Sequence, residues 1–311
     1  MNTGNTISAG IFKAAVIAAL IFTTGWPLSA RDQKNLINIQ VEKSLIPLAE
    51  GWINNFIQSN PGFRINLVDQ NNSETPVLRI FESHVDNPES GDKEVVYLVG
   101  QQAILPVINE QNPHFSRELK RGIRQNQLKE IFFNEESDWL FEEEKKKEPE
   151  YEIYTPVPHT SVAEAFAGFL NKPSSELKGI FVSGDDSHIL SAILQDPAGI
   201  TYSRMSLLYN PQTREPISGI KILPVDLNNN GRLDKNELIF DNLDQLIQIT
   251  GNSRNPLLPT LQILLATQKE NLTNPDISHF INWILGEGQK TNTQLGYFKH
   301  GEINPEELTQ K

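Results

Sequence analysis

The stretch from Asn35 to Asp69, NLINIQVEKSLIPLAEGWINNFIQSNPGFRINLVD, constrains the fold of this chain more than any other. Ile37, Ile39 and Val41 alternate as in a strand with one buried face. Leu45, Leu48, Ala49, Trp52, Ile53 and Phe56 then recur at helical spacing. Ser59, Asn60, Pro61 and Gly62 stop the helix before Ile65 and Leu67 alternate again. Strand, helix and strand at this spacing make a βαβ unit, the building block of a parallel sheet.

The same alternation continues along the chain. EVVYLVGQQAILPVIN (94–109) holds two short apolar runs that read as strands, and LKRGIRQNQLKEIFF (119–133) is a short amphipathic helix. EIYTPV (152–157) is a strand. SVAEAFAGFL (161–170) is a helix behind the cap candidates Thr160 and Ser161. GIFVS, SHILSAILQD and AGITYSR then give strand, helix and strand. From Asp241 onward the pattern reads as helical, including LPTLQILLATQKENL (258–272). The charge run 134–152, with Glu142–Lys146 and Glu143–Lys147 at helical pairing distance, reads as a solvated excursion. Alternating strands and helices with a helical C-terminal third predict an α/β protein of two lobes, with ligands in the crevice at the strand carboxyl ends.

The 311 residues suffice for one large domain or two lobes. A net charge of −12 argues against a nucleic-acid surface, which needs a basic stripe to displace counterions. It leaves small ligands open, because a local cluster of donors can hold an anion on an acidic protein. The chain has no cysteine, which excludes disulfides, thiol catalysis, cysteine-based metal sites and a lipid-modified cysteine.

At the N-terminus, Lys13 precedes an apolar run from Ala14 to Phe22 and then Gly25, Pro27 and small residues, the layout of a secretory signal peptide ending at Ala30. A single anchor helix is the competing reading. The expected location is the periplasm or outside the cell, soluble after cleavage.

Several stretches, in order over residues 35–300, resemble the type II periplasmic solute-binding proteins of the phosphate-binding family. SLIPLAEGWINNF resembles that family's first helix, AILPVINEQNP its crossover strand into the second lobe, and SVAEAFAGFL the helix after its anion loop. DPAGITYSRMSLL resembles the strand returning to lobe one, and FINWILGEGQKTNTQLGYF the C-terminal helix. The resemblance implies a two-lobed fold with a hinge of two crossover strands, Ala103–Asn109 and Gly199–Arg204. Lobe one would comprise 31–108 and 205–311, and lobe two 109–204. It further implies a small anionic solute such as phosphate, an ABC transporter permease as partner, a monomeric state and no catalysis. Neither a His-Glu-x-x-His nor a Gly-x-Ser-x-Gly motif occurs.

The ligand loops depart from the family pattern. Its first loop, Gly-Ser-Ser/Thr-Thr, corresponds to Val41, Glu42, Lys43 and Ser44; its second, Ser-Gly-Thr, to Thr160, Ser161 and Val162 after His159. An arginine upstream of the second loop is replaced by the run Thr155–Pro158. The expected ligand residues are therefore Lys43, Ser44, His159, Thr160 and Ser161. Arg204, beside Ser203 on the returning strand, reads either as a donor to the anion or as a solvated arginine, and Asp185 and Asp186 either as a helix cap or as partners of a hydroxylated or protonated ligand. A binding or adhesion module that kept the fold and lost the phosphate site is the alternative.

VDLNNNGRLDKNEL (225–238) fills every position of a twelve-residue calcium loop. Asp226, Asn228, Asn230, Arg232 (through its carbonyl), Asp234 and Glu237 stand at positions 1, 3, 5, 7, 9 and 12, with Gly231 at the sharp turn. A single loop without a partner hand cannot open a helix pair, so the expectation is a structural Ca²⁺ brace. Its affinity would be on the order of 10⁻⁴ to 10⁻³ M or somewhat tighter.

Overall fold

The computed structural model describes residues 36–68, 75–84, 92–113, 115, 121–133, 151–184, 186–251 and 257–299. The signal-peptide segment, most of the charge run and Asp185 lie outside the described residues. So do most of the residues that precede β4 from 85 onward.

β1 (Leu36–Val41) and α1 (Ile46–Ser59) form where alternation and helical spacing placed them. Pro47 sits in the first turn of α1, where a missing amide hydrogen breaks no helical bond. Gly62, with φ at +110°, turns the chain into β2 (Arg64–Val68). β1 pairs in parallel with β2, Ile37 opposite Ile65. On its other side it pairs in parallel with β3 (Leu78–Ser83), Ile39 opposite Leu78.

β4 is one strand of 16 residues, Glu94–Asn109, where the sequence suggested two runs; a bulge between Leu98 and Gly100 marks the apparent break. After it come α2 (Gln125–Phe132), β5 (Glu152–Pro156), α3 (Ser161–Phe169), β6 (Ile180–Val182), α4 (Asp186–Gln195) and β7 (Gly199–Arg204). The short α5 (Met205–Leu208), β8 (Ile220–Ile222) and α6 (Leu243–Thr250) follow. The chain then forms β9 (Thr260–Gln268), α7 (Pro275–Leu285) and α8 (Gln289–Gln294).

The expected helix over 258–272 is corrected by β9. A short apolar run cannot be told from a buried helix by periodicity alone. Here both edges of the segment find antiparallel partners, β3 along 262–266 and β4 along 260–268, which satisfy its backbone groups in the middle of a sheet.

Among the described residues the sheet runs β2-β1-β3-β9-β4-β7-β5-β6, with β8 beside β4. Two apolar cores line it. One gathers Trp52, Phe56, Phe280 and Ile284 from α1 and α7 under β1, β3 and β9. There the Trp52 indole donates to Asn292 Oδ1 at 2.8 Å and to the Gly288 carbonyl at 3.2 Å.

The other core gathers Phe132, Phe166, Tyr202 and Leu246 around the far half of β4, with Tyr202 stacked on Phe166 at 3.8 Å between ring centroids. The segment around 226–237, drawn with lobe one from the sequence, packs into this second core. Val225 and Ile239 are buried in it, and Val225 bridges to Ile123. No described helix is long and apolar enough to cross a membrane.

Candidate functional site

β4 belongs to both halves of the sheet. Up to Ala103 it pairs with β9, and from Ile104, opposite Arg204, it pairs with β7. Open α/β sheets bind ligands in the crevice at strand ends where the order of neighbours changes, and several strand ends of this sheet meet at the change of partner. β1 and β3 end there with Glu42, Ser44 and Glu82, and β7 ends there with Arg204. The turn out of β6 contributes Asp186, the first residue of α4.

These side chains form one network. Arg204 donates from Nε to both oxygens of Glu82, at 2.9 and 3.1 Å, and from Nη2 to Oε2 at 2.6 Å; its Nη1 donates to Asp186. Gln102 donates from Nε2 to Glu82 Oε1, and Ser44 Oγ to Glu82 Oε2 at 3.3 Å. Behind Gln102, its Oε1 accepts from Ser206 Oγ at 2.8 Å, and Ser206 is bonded to Tyr297. Glu42 accepts from the Glu82 backbone amide at 2.8 Å. The Glu82 side chain is fully buried, and Arg204 and Asp186 are nearly so.

Three carboxylates thus face one guanidinium, and the electrostatics follow. Burial pushes the Glu42 carboxyl above its usual range. The bond from the Glu82 amide opposes that shift, and the Glu82 charge reinforces it. Burial alone would lower the Arg204 pKa, but Glu82 and Asp186 more than compensate and hold it charged above its ordinary value. Burial pushes the Tyr297 phenol up to about 12.

Of the sequence-predicted ligand residues, Ser44 is part of this network. Lys43 is exposed in the single turn before α1. Thr160 caps α3, its hydroxyl accepting from the Ala163 amide at 3.3 Å, and Ser161 opens that helix half-buried. His159, exposed and at φ +68°, bonds Glu164 at 2.9 Å. Glu164 lies below the usual carboxylate range, chiefly through a hydrogen bond from Ser174, and the charge of His84 beyond the end of β3 adds to the effect. His159 therefore stands with Glu164 and Ser174 in a second polar group, while Thr160 and Ser161 serve the start of α3.

Sequence reasoning missed Glu82 and Gln102; of its two readings of Arg204, donor or solvated arginine, the second fails, since Arg204 is 7% exposed. The available signal was alternation: Leu78, Ile80 and Glu82 occupy one buried face of β3, so a carboxylate stands where an apolar residue is due.

The loop from Asp226 to Glu237 folds back on itself. Asp226 accepts from the amides of Asn230 and Gly231, and Glu237 from those of Leu227, Asn228 and Asp234. Asp234 accepts from the side chains of Asn228 and Asn230 and pairs with Arg232. Asp226 and Glu237 are buried, and Gly231 turns at φ +87°. Among the described residues no three acidic or imidazole side chains are gathered as a metal cluster. The three carboxylates of the loop bond backbone and asparagine amides instead.

No protein-family model and no curated protein matches this sequence. Solved structures do. A protein from Clostridium perfringens described as a phosphate ABC transporter substrate-binding protein with bound phosphate aligns at TM-score 0.58. It is 16% identical, over 86% of this chain and 100% of that one. An ABC-type phosphate transport receptor from Vibrio cholerae aligns at 0.55, with 11% identity over 86% and 100%. A reduced form of OxyR from N. meningitidis aligns at 0.51, with 10% identity over 86% and 99%, so the fold alone selects no ligand. With β4 shared by two half-sheets and buried polar side chains gathered where it changes partner, the chain has the two-lobed type II periplasmic binding-protein fold.

Proposed function

We propose that this chain is a non-catalytic solute-binding protein whose ligand enters the crevice bordered by Glu42, Ser44, Glu82, Asp186 and Arg204. The observation that carries this reading is the concentration of buried charge at the strand ends where β4 changes partner. Buried ions stabilise a fold little when hydrophobic residues could replace them, so their placement at a ligand crevice favours a binding role. The likeness to phosphate receptors makes phosphate or another small oxyanion the first solute to test. Export is the setting that the N-terminal layout suggests, and delivery to an ABC transporter permease the one that the likeness to phosphate receptors suggests.

The charge balance adds a condition. An oxyanion entering a crevice with three carboxylates must bring protons to share with Glu42, whose carboxyl burial already raises, or displace a carboxylate from Arg204. Titration calorimetry with phosphate at pH 5 and pH 8 tests this: binding is expected to be tighter at pH 5. Absence of heat at both values would remove the oxyanion reading.

One observation favours a second reading. Arg204 is already bonded by Glu82 and Asp186, as in a module that kept the fold and released its phosphate site. Small-angle scattering separates the two, since only a solute receptor contracts on adding its ligand. Under either reading we propose Ca²⁺ at Asp226, Asn228, Asn230, Arg232, Asp234 and Glu237 as a structural brace, supported by the spacing and by the buried Asp226 and Glu237.

A further inference from the structure

We infer that the donors around the Glu82 carboxylate form a built oxyanion site that the protein fills with its own side chain. This rests on the reading of the crevice as the place of binding and deepens it, because it names what an incoming anion must displace.

The argument begins from the number and origin of the donors. An ordinary structural ion pair joins two side chains. Here one carboxylate accepts from Arg204 Nε and Nη2 on β7, from Gln102 Nε2 on β4 and from Ser44 Oγ before α1. Guanidinium, amide and hydroxyl converge on two oxygens from three separate elements, as donors do around a bound carboxylate or phosphate.

The donors are also held in place from behind. Ser206 fixes the Gln102 amide so that its nitrogen faces Glu82, and Asp186 holds the remaining edge of the guanidinium. Such outer contacts orient a recognition set before any ligand arrives. The occupant lies on β3 beside Ser83, at the strand end that faces the crevice. It is tethered by three side-chain bonds, so withdrawing it leaves a gap of the size of a formate or acetate ion.

The experiment compares the full wild-type chain with Glu82→Ala, Glu82→Ser and Glu82→Gln by thermal melting in sodium formate, with sodium chloride at matched ionic strength as control. Glu82→Ala and Glu82→Ser are expected to melt below the wild type. Formate is expected to raise their Tm saturably, by about 5 °C at a hundredfold excess over the dissociation constant. The wild type and Glu82→Gln, whose cage stays filled, are expected to respond no more than to chloride.

Should the small variants not fold in chloride, refolding yield becomes the readout. Recovery in formate supports the inference, and failure in both salts overturns it. A formate response of the same size in the wild type, or none in either small variant, also overturns it. Phosphate binding by the wild type is measured separately. Its absence counts against the oxyanion reading of the preceding section, and formate rescue of Glu82→Ala stands or falls on its own.

Discussion

Glu82 and Arg204, 122 positions apart in the chain, share a buried side-on ion pair in which the guanidinium bonds both carboxylate oxygens at 2.6 to 3.1 Å. The pair ties the end of β3 to the end of β7, across the point where β4 passes from one half-sheet to the other. Arg204→Ala leaves Glu82 and Asp186 buried without their cation. The expected loss is about 3 to 5 kcal/mol of stability, measured as a fall in the urea midpoint. A loss under about 1 kcal/mol would mean that water reaches the network and screens it.

Glu42 gives the crevice a pH dependence of known sign. Its folded pKa is raised above the ordinary carboxylate value, chiefly by burial. Between that value and the raised one the folded chain holds a proton that the unfolded chain has released. Stability from this group therefore falls as pH rises through the window. Glu42→Gln is expected to flatten that part of a curve of urea midpoint against pH and to raise stability above it. An unchanged slope would exclude Glu42 as its source.

The opposite sign holds for Glu164, whose pKa is lowered chiefly by the Ser174 hydroxyl. Its contribution is present above the unfolded pKa and fades as pH falls through the folded one. Ser174→Ala should remove most of that acid-side dependence, as read in the same titration.

Calcium is tested at the loop itself. Melting the chain in chelator and then in Ca²⁺ at about a hundred times the dissociation constant is expected to give roughly 2.7 kcal/mol of added stability. Asp226→Ala, which removes the first side chain of the loop, should abolish the gain. Equal melting points with and without the ion would eliminate the brace.

Trp52 supplies a control away from the crevice. Trp52→Phe keeps the ring in the first core but leaves Asn292 Oδ1 and the Gly288 carbonyl without their indole donor. The cost is expected at about 1 to 3 kcal/mol by urea denaturation, with the formate and phosphate responses unchanged.

The readable parts of the sequence were those with a local period. Ile37, Ile39 and Val41 alternate and become β1. Leu48, Ala49, Trp52 and Phe56 recur at helical spacing and become the buried face of α1. Thr160 caps α3 as its residue type suggests. The segment 260–268 misled because an uninterrupted apolar run fits a helix and a central strand equally well. Only the presence of β3 on one side and β4 on the other selects the strand.

The crevice was harder to read for a related reason. Ser44 stood out because it begins a helix beside a family-like loop. Glu82 and Gln102 carry no local signature, and an arginine at the end of a strand reads by itself as a surface cation as easily as a donor. Each becomes a site residue through partners 20 to 122 positions away.

By itself, then, the sequence determined the α/β alternation and the secondary elements other than β9, because backbone propensity and one-sided burial act over a few residues. It also determined the loop spacing at 226–237. The tertiary structure decided which strands are neighbours, that Arg204 is buried rather than solvated, and that a carboxylate of the chain's own occupies its donors. Those are decisions of desolvation and pairing, and they exist only once segments distant in the chain have excluded water from between them.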